Sequence, residues 1–215
     1  MIIPGPDSIN VPPALVDVIE SSRETTLPNC EMLHADLRIA WSVFAPTVTI
    51  ELAGNMDKVG KGLDEYLAFG VSNPQGQSKM VGSDVSVAYM DGFQAIVEDY
   101  NITAKSLCTS VLNQNKGVCP DIHVQGSQNN QVQTFERENG VFTVTYRRDL
   151  INSQDPGDNS IVEDGPTSVV WAIGQLASGT LTGPRERGRP QPLKKEPSFH
   201  HTYPKQHVQV SSYLS

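Results

Sequence analysis

Alternation of apolar and polar residues with a period of two recurs along most of this chain of 215 residues. Successive side chains of a strand point to opposite faces, so this period is typical of half-buried β-strands. Turn-forming pairs such as Asp91-Gly92 and Asn139-Gly140 separate the alternating segments and suit tight hairpins. The pattern predicts strands over the ranges 37–44, 47–53, 65–71, 84–90, 93–99, 131–137, 141–148, 168–175 and 206–213. Short strands at this spacing predict an all-β fold, a sandwich or a barrel.

The rest of the chain predicts one domain with an arm and one long loop. Residues 12–23 have a helical pattern and precede the first strand, so residues 1–29 are expected to form an N-terminal arm. Residues 30–215 then form the β-domain. Within it, residues 183–197 are rich in Pro, Arg and Lys and are expected to form an exposed basic loop, because they cannot bury apolar surface.

Charge and hydropathy limit the partners of the chain. It has 16 basic and 24 acidic residues, a net charge of -8, which disfavours nucleic acid because phosphate backbones are repelled. No apolar run approaches the roughly 20 residues of a membrane helix, and the first ten residues lack the features of a signal peptide. We therefore expect a domain excised from a larger protein, held at a membrane only by an anchor outside this chain.

The cysteines suggest an oxidising environment. Cys108 and Cys119 bracket a polar, turn-prone segment whose length suits a disulfide that closes a hairpin or loop. The alternative is two reduced thiols that never meet. An N-glycosylation sequon at Asn101 favours the disulfide and an extracellular or cell-surface location. Cys30 is left over and is expected to pair outside this chain.

Motifs of catalysis are absent from the sequence. It has no G-x-S-x-G elbow, phosphate-binding glycine loop, H-E-x-x-H or EF-hand pattern, so the chain is not expected to be an enzyme. What remains is Met80 in the loop KMVGSD before a strand, and His200 and His201 in EPSFHHTYPK. A thioether and an imidazole can ligate the two faces of a low-spin haem iron, which then transfers single electrons. Otherwise, Met80 fills a gap in the core and the histidines are solvated.

Several segments resemble DOMON domains, in the order that the family shows. They are LRIAWSVF, EYLAFGVS, KMVGSDVSVAYM, SVVWAIGQL and the P-x-x-H of Pro197 to His200. The resemblance implies an antiparallel β-sandwich of about nine to eleven strands. In the cytochrome-type members, including the cytochrome domain of cellobiose dehydrogenase, the corresponding Met and His ligate haem b. It therefore implies Met80 and His200 as the axial ligands, with His201 as the alternative to His200.

Among DOMON domains, the run PSFHHTYP resembles the group of the insect cuticle protein Knickkopf. That group consists of extracellular, membrane-anchored multidomain proteins that serve chitin organisation. The resemblance thus implies an electron-transfer module whose redox partner is another domain of the parent protein or a secreted oxidoreductase.

A haem pocket also needs apolar walls and cations for the haem propionates. The residues expected to line it, each of which could equally belong to the core, are Tyr66, Phe69, Val81, Trp171 and Phe199. The cations expected near the propionates are Lys79, Arg147 and Arg148.

Some DOMON domains lack the haem ligands, so a haem-free module is the alternative function. It would bind carbohydrate, chitin in particular, or another protein. The aromatic side chains expected to contact the polysaccharide are Tyr89, Phe93, Tyr100 and Tyr203.

Overall fold

A computed structural model describes residues 25–56, 65–72, 78–151, 155, 157–161, 166–177, 196–197 and 209–211. These residues contain fourteen β-strands. In chain order the strands are β1 (Asn29–His34), β2 (Leu37–Phe44), β3 (Thr47–Asn55), β4 (Glu65–Val71), β5 (Asp84–Asp91), β6 (Gln94–Ile102), β7 (Thr109–Val111), β8 (Gln114–Lys116), β9 (Val118–Pro120), β10 (Gln131–Glu138), β11 (Val141–Asp149), β12 (Pro166–Ala177), β13 (Glu196–Pro197) and β14 (Gln209–Ser211). A short 3₁₀ helix, Asp121–His123, follows β9.

The strands form two large antiparallel sheets that pack face to face. The first has five strands in the order β1-β2-β3-β11-β10. The second has seven, in the order β13-β12-β4-β5-β6-β9, with β14 also paired to β12. Strands β7 and β8 form a separate hairpin. The predicted antiparallel β-sandwich is confirmed.

Each predicted strand range overlaps an observed strand, but the ends of the domain differ from prediction. β1 begins at Asn29, at the predicted boundary between the arm and the domain. The pattern predicts no strand there, because the side chains of β1 are mostly exposed and show no clear alternation. The predicted basic loop contains β13, which pairs with Leu176 and Ala177 of β12. The helical range 12–23 and the rest of that loop lie outside the described residues.

Alternation along the strands divides the apolar side chains between two clusters. The inner cluster fills the space between the sheets and includes Leu37 and Ile39 of β2, Leu67 of β4 and Val144 of β11. Each such side chain contributes about 1.5–3 kcal/mol when it leaves water. The outer cluster covers the opposite face of the seven-stranded sheet; its members are Tyr66, Ala68, Val85, Val87, Tyr89, Tyr100, Ile102, Val118 and Ala172.

Two ion pairs cross the layer between the sheets. Arg148 of β11 donates to both carboxylate oxygens of Asp84 at the start of β5, with Nη2–Oδ2 at 2.6 Å. Both side chains are buried. Arg137 of β10 contacts Glu65 at the start of β4, with Nη2–Oε2 at 3.0 Å. Because Asp84 pairs with the last residue of β4, the two ion pairs join the sheets at opposite ends of the sandwich.

The predicted disulfide between Cys108 and Cys119 is present, with the two Cα atoms 4.8 Å apart. It closes the loop that holds the hairpin of β7 and β8, and it ties this hairpin to β9 at the edge of the large sheet. Cys30 is free and exposed.

Replacing both Cys108 and Cys119 with serine should lower the free energy of unfolding by about 2–4 kcal/mol, because the unfolded chain regains the freedom that the closed loop removes. Urea unfolding followed by tryptophan fluorescence measures the change. The matched control is Cys30→Ser, which removes an exposed thiol and should leave stability within about 0.5 kcal/mol. Equal stabilities of the double variant and the control would contradict this role of the disulfide.

Candidate functional site

The segment before β5 is held in place by two serine side chains. The Oγ of Ser72 accepts a hydrogen bond from the backbone N–H of Lys79 at 2.7 Å and donates to the Lys79 carbonyl at 3.0 Å. The Oγ of Ser83 donates to the same carbonyl at 2.5 Å. The backbone just before Met80 is therefore fixed from both sides.

A tight turn carries the chain from Met80 into β5. The Met80 carbonyl accepts a hydrogen bond from Ser83 at 3.2 Å, and the Gly82 N–H donates to the Ile102 carbonyl at 2.7 Å. Gly82 has a φ of 88°, a conformation that favours glycine. This is the M-x-G-S-D pattern of the sequence, and the turn holds Met80 near the end of β6.

The side chain of Met80 is half-buried and packs against the outer cluster. Its sulfur is a soft, weakly basic donor that can coordinate haem iron, and the outer cluster beside it is largely apolar. The described part of the donor set therefore fits a haem.

The second predicted ligand lies outside the described residues, as do His201 and Phe199. Pro197 of β13, three residues before His200 in the sequence, pairs with Leu176 of β12. That strand contributes Ala172 to the outer cluster.

The described residues that were predicted to line the pocket do not share one face. Tyr66 belongs to the outer cluster, whereas Phe69 and Trp171 face the layer between the sheets. The physical reason is parity, because residues 66 and 69 are three apart on one strand and must point to opposite sides. Val81 is 42% exposed. Of these four residues, only Tyr66 lies in the cluster that Met80 contacts.

An apolar cleft opens on the inner side, with an empty volume of about 460 Å³ that includes open solvent. Its walls include Trp41 and Ile50 of the five-stranded sheet and Phe69 and Val169 of the seven-stranded sheet. Since Met80 packs on the other face of the seven-stranded sheet, this cleft is not the surroundings of Met80.

Two of the three cations predicted for the haem propionates are engaged elsewhere. Arg148 is buried in the ion pair with Asp84. Arg147 points to the opposite side of its strand and donates to Gln131 at 3.1 Å. Both arginines thus have partners that the sequence pattern does not reveal. Lys79 is exposed and adjoins Met80.

The side chain of the predicted glycosylation site is hydrogen-bonded within the fold. Asn101 lies in β6, half-buried, and its Nδ2, the atom that would carry the sugar, donates to the Gly157 carbonyl at 3.1 Å. A glycan on Nδ2 would leave one hydrogen for this contact and would have to fit beside it.

Sequence analysis missed a group of aspartates at one end of the sandwich. They are Asp84, Asp99, Asp121, Asp155 and Asp158. All but Asp158, which is half-buried, are fully buried. Their signal in the sequence is weak. Asp84 alternates in step with the inward-facing residues of β5, and Asp155 and Asp158 are three residues apart in a turn segment.

The sequence matches the family model of the DOMON domain over residues 33–174, about two thirds of the chain. The chain belongs to the DOMON family. The predicted membership is thus confirmed.

Relatives of the chain in Drosophila and Arabidopsis are long proteins. The chain is 32% identical over 179 residues to the protein Skeletor, isoforms B/C, of Drosophila melanogaster, which covers 80% of this chain and 21% of that protein. It is 30% identical over 192 residues to a cytochrome b561, DM13 and DOMON domain-containing protein of Arabidopsis thaliana, covering 84% and 21%. The chain therefore spans about a fifth of the length of these relatives.

A solved structure shares the fold. The cytochrome domain of Myriococcum thermophilum cellobiose dehydrogenase superposes with a TM-score of 0.50 over 84% of this chain and 77% of that chain, at 10% identity.

Within the described residues, no helix has the length and apolar character needed to cross a membrane.

Proposed function

We propose that this DOMON domain binds haem b through Met80 and His200 and acts as an electron-transfer module. The position of Met80 is the observation that carries the proposal. Its backbone is fixed by Ser72, Ser83 and Gly82, and its thioether lies on an apolar face of a β-sandwich. The names of an Arabidopsis relative and of the structural neighbour, both of which include a cytochrome, support it.

The residues of the chain have separate roles in this proposal. Met80 would hold the haem iron through its sulfur, and the hydrogen bonds of Lys79 and Ser83 orient the loop that presents it. The apolar members of the outer cluster exclude water. Haem b, when bound, supplies reversible one-electron transfer, and two protein ligands leave no open iron position for oxygen. Lys79 is the described cation available for a propionate.

We place the domain at the extracellular side of a larger protein. The disulfide between Cys108 and Cys119 supports an oxidising compartment. A role in chitin organisation of the cuticle, without catalysis by this chain itself, follows from the resemblance to Knickkopf-type domains. The electron partner would be another domain of the parent protein or a secreted oxidoreductase.

A haem-free polysaccharide-binding module is less well supported by the positions of the predicted aromatic residues. Tyr89 and Tyr100 are buried, and Tyr203 lies outside the described residues. Phe93, which is 96% exposed at the tip of the β5–β6 hairpin, is the one of the four that the described structure presents to solvent. A single exposed ring is a small platform for stacking on a sugar chain.

Electron transfer can be tested with the purified protein loaded with one equivalent of hemin. After reduction with dithionite and removal of the excess, mixing with ferric cytochrome c should reoxidise the domain with the loss of one electron per haem. Failure of the loaded protein to give up an electron would reject the electron-transfer role. Retention of the haem-free protein on insoluble chitin, lost in Phe93→Ala, would support the alternative instead.

A further inference from the structure

Five aspartates converge at the end of the sandwich from four different places in the chain. Asp84 begins β5, Asp99 lies in β6, Asp121 opens the 3₁₀ helix, and Asp155 and Asp158 follow β11. Carboxylate oxygens of Asp121, Asp155 and Asp158 all lie within 4.8 Å of one another. Those of Asp84, Asp99 and Asp158 form a second group of the same size.

These spacings match the dimensions of a bound calcium ion. Calcium binds oxygen at about 2.3–2.6 Å, so two oxygens on one ion lie at most about 5 Å apart. Magnesium, with bonds of about 2.0–2.1 Å, requires a tighter octahedron and keeps more of its water. A set made only of carboxylate oxygens also disfavours zinc and copper, which prefer nitrogen and sulfur.

An independent observation comes from the hydrogen bonds that are missing. Asp121 is 1% exposed, and neither of its carboxylate oxygens accepts a hydrogen bond from a described residue. The same is true of Asp99, which is also 1% exposed. Buried polar groups in folded proteins are normally paired, and a buried carboxylate without a partner is costly. The two carboxylate oxygens of Asp121 therefore lie within the group of aspartates, and no described residue donates a hydrogen bond to them.

Asp155 and Asp158, which form a group with Asp121, are oriented by hydrogen bonds from their neighbours. Asp155 accepts hydrogen bonds from Ser127 N–H and Oγ on its Oδ2, at 2.5 and 3.0 Å, and from Gly157 N–H on its Oδ1 at 3.0 Å. Asp158 accepts from Asn129 Nδ2 at 2.7 Å. Carboxylates that bind metal are commonly held by such bonds, which leave further lone pairs free.

Glycine keeps space open beside these carboxylates. A Cβ atom at Gly126 would lie 2.9 Å from both the Cβ of Asp121 and the Oδ2 of Asp155. A Cβ at Gly157 would lie 3.2 Å from the Oδ1 of Asp155. Larger residues at either position would crowd the group.

The charged groups that the described residues bring to Asp99 and Asp121 are mostly other carboxylates. The positive charge of Arg148 lies here, but its guanidinium is paired with Asp84 through two hydrogen bonds. Burial, together with the charge of Asp84, raises the pKa of Asp99 to about 9 and that of Asp121 to about 8. A divalent cation is the kind of ligand that would relieve this repulsion.

We propose that Asp121, Asp155 and Asp158 bind a calcium ion that fastens the segment after β11 to the 3₁₀ helix that follows the edge strand β9. Asp158 is shared with the second group, so the same ion lies beside Asp99 and Asp84. Asn159, the next residue, donates to the carbonyls of Val71 and Gly82 at 2.9 and 2.8 Å. The ion thus also supports the turn that presents Met80, although its binding does not depend on haem.

The test is a calcium titration of the metal-free protein by isothermal calorimetry and thermal unfolding, after treatment with EDTA. We expect one saturable site, at least tenfold weaker for magnesium, and a rise in Tm of about 5–10 °C at a hundred times Kd. The key variant is Asp121→Asn, which keeps the shape and removes the charge. It should weaken calcium binding at least tenfold and, without calcium, melt no lower than the wild type. The matched control is Asp91→Asn, an exposed aspartate at the end of β5, which should behave as the wild type.

Two results would overturn the proposal. One is the absence of saturable calcium heat and of a Tm rise in the wild-type protein, a measurement that requires no variant to fold. The other is a calcium response of Asp121→Asn equal to that of Asp91→Asn. Magnesium binding as tight as calcium binding would overturn the choice of ion. Calorimetry and thermal unfolding both use protein without haem, so failure of the haem proposal leaves these results unchanged.

Discussion

Replacing Arg148 with methionine is expected to lower the free energy of unfolding by about 3–5 kcal/mol, because it leaves the buried carboxylate of Asp84 without its cation. The remaining partner of that carboxylate is the Asn159 N–H, at 2.9 Å. Arg148 also lowers the pKa of the neighbouring Asp99, so its loss removes a favourable charge from both aspartates. Methionine preserves much of the volume of the arginine stem, so loss of packing contributes little.

Chemical denaturation in urea at neutral pH, with calcium held constant, measures this loss. The neighbouring Arg147→Met is a matched control, because the hydrogen bond that Arg147 makes within the described residues is to the exposed Gln131. It should change stability by less than about 0.5 kcal/mol. The double variant Asp84→Leu/Arg148→Met should recover most of the loss, since an apolar pair can replace a buried ion pair at little cost. Equal effects of Arg148→Met and Arg147→Met would contradict the role of the ion pair.

Replacing Met80 with leucine is expected to abolish the six-coordinate, low-spin spectrum of the hemin-loaded protein. Leucine has a similar volume and should cost the fold less than about 1.5 kcal/mol, but it has no lone pair for iron. The visible spectrum in the ferric and dithionite-reduced states shows the change directly. Met32→Leu, an exposed methionine of β1, is the control and should keep the wild-type spectrum.

The histidine ligand is tested in the same way with His200→Ala and His201→Ala. Neighbouring residues of an extended segment point to opposite sides, so only one of the two can face a given pocket. We expect His200→Ala to lose the low-spin spectrum and His201→Ala to retain it. The reverse pattern would move the ligand to His201.

The fold could be predicted because period-two alternation survives in strands that bury one or both faces. β2 and β3 have bounds close to the predicted ranges, since Pro46 and the surrounding turn interrupt the pattern clearly. β1 and the short strands around the disulfide were not predicted. Their side chains are largely exposed or too few to show a period.

The sites were predictable only in part, because a sequence pattern gives the parity of a residue but not its partner. Val144, Tyr146 and Arg148 are two residues apart on β11, so their side chains lie on the same face, and the apolar neighbours already place the arginine inside. Its partner, Asp84, lies 64 residues earlier and no local pattern connects them. The aspartates after β11 resembled ordinary turn residues for the same reason.

Haem binding by Met80 is tested most directly by titrating the purified wild-type protein with hemin and recording its visible spectrum at each step. We predict a Soret band that saturates at one haem per chain, which shows a single site. Sharp α and β bands after reduction would show two axial protein ligands. A broad band that grows without saturation, and is unchanged in Met80→Leu, would contradict the proposed haem site.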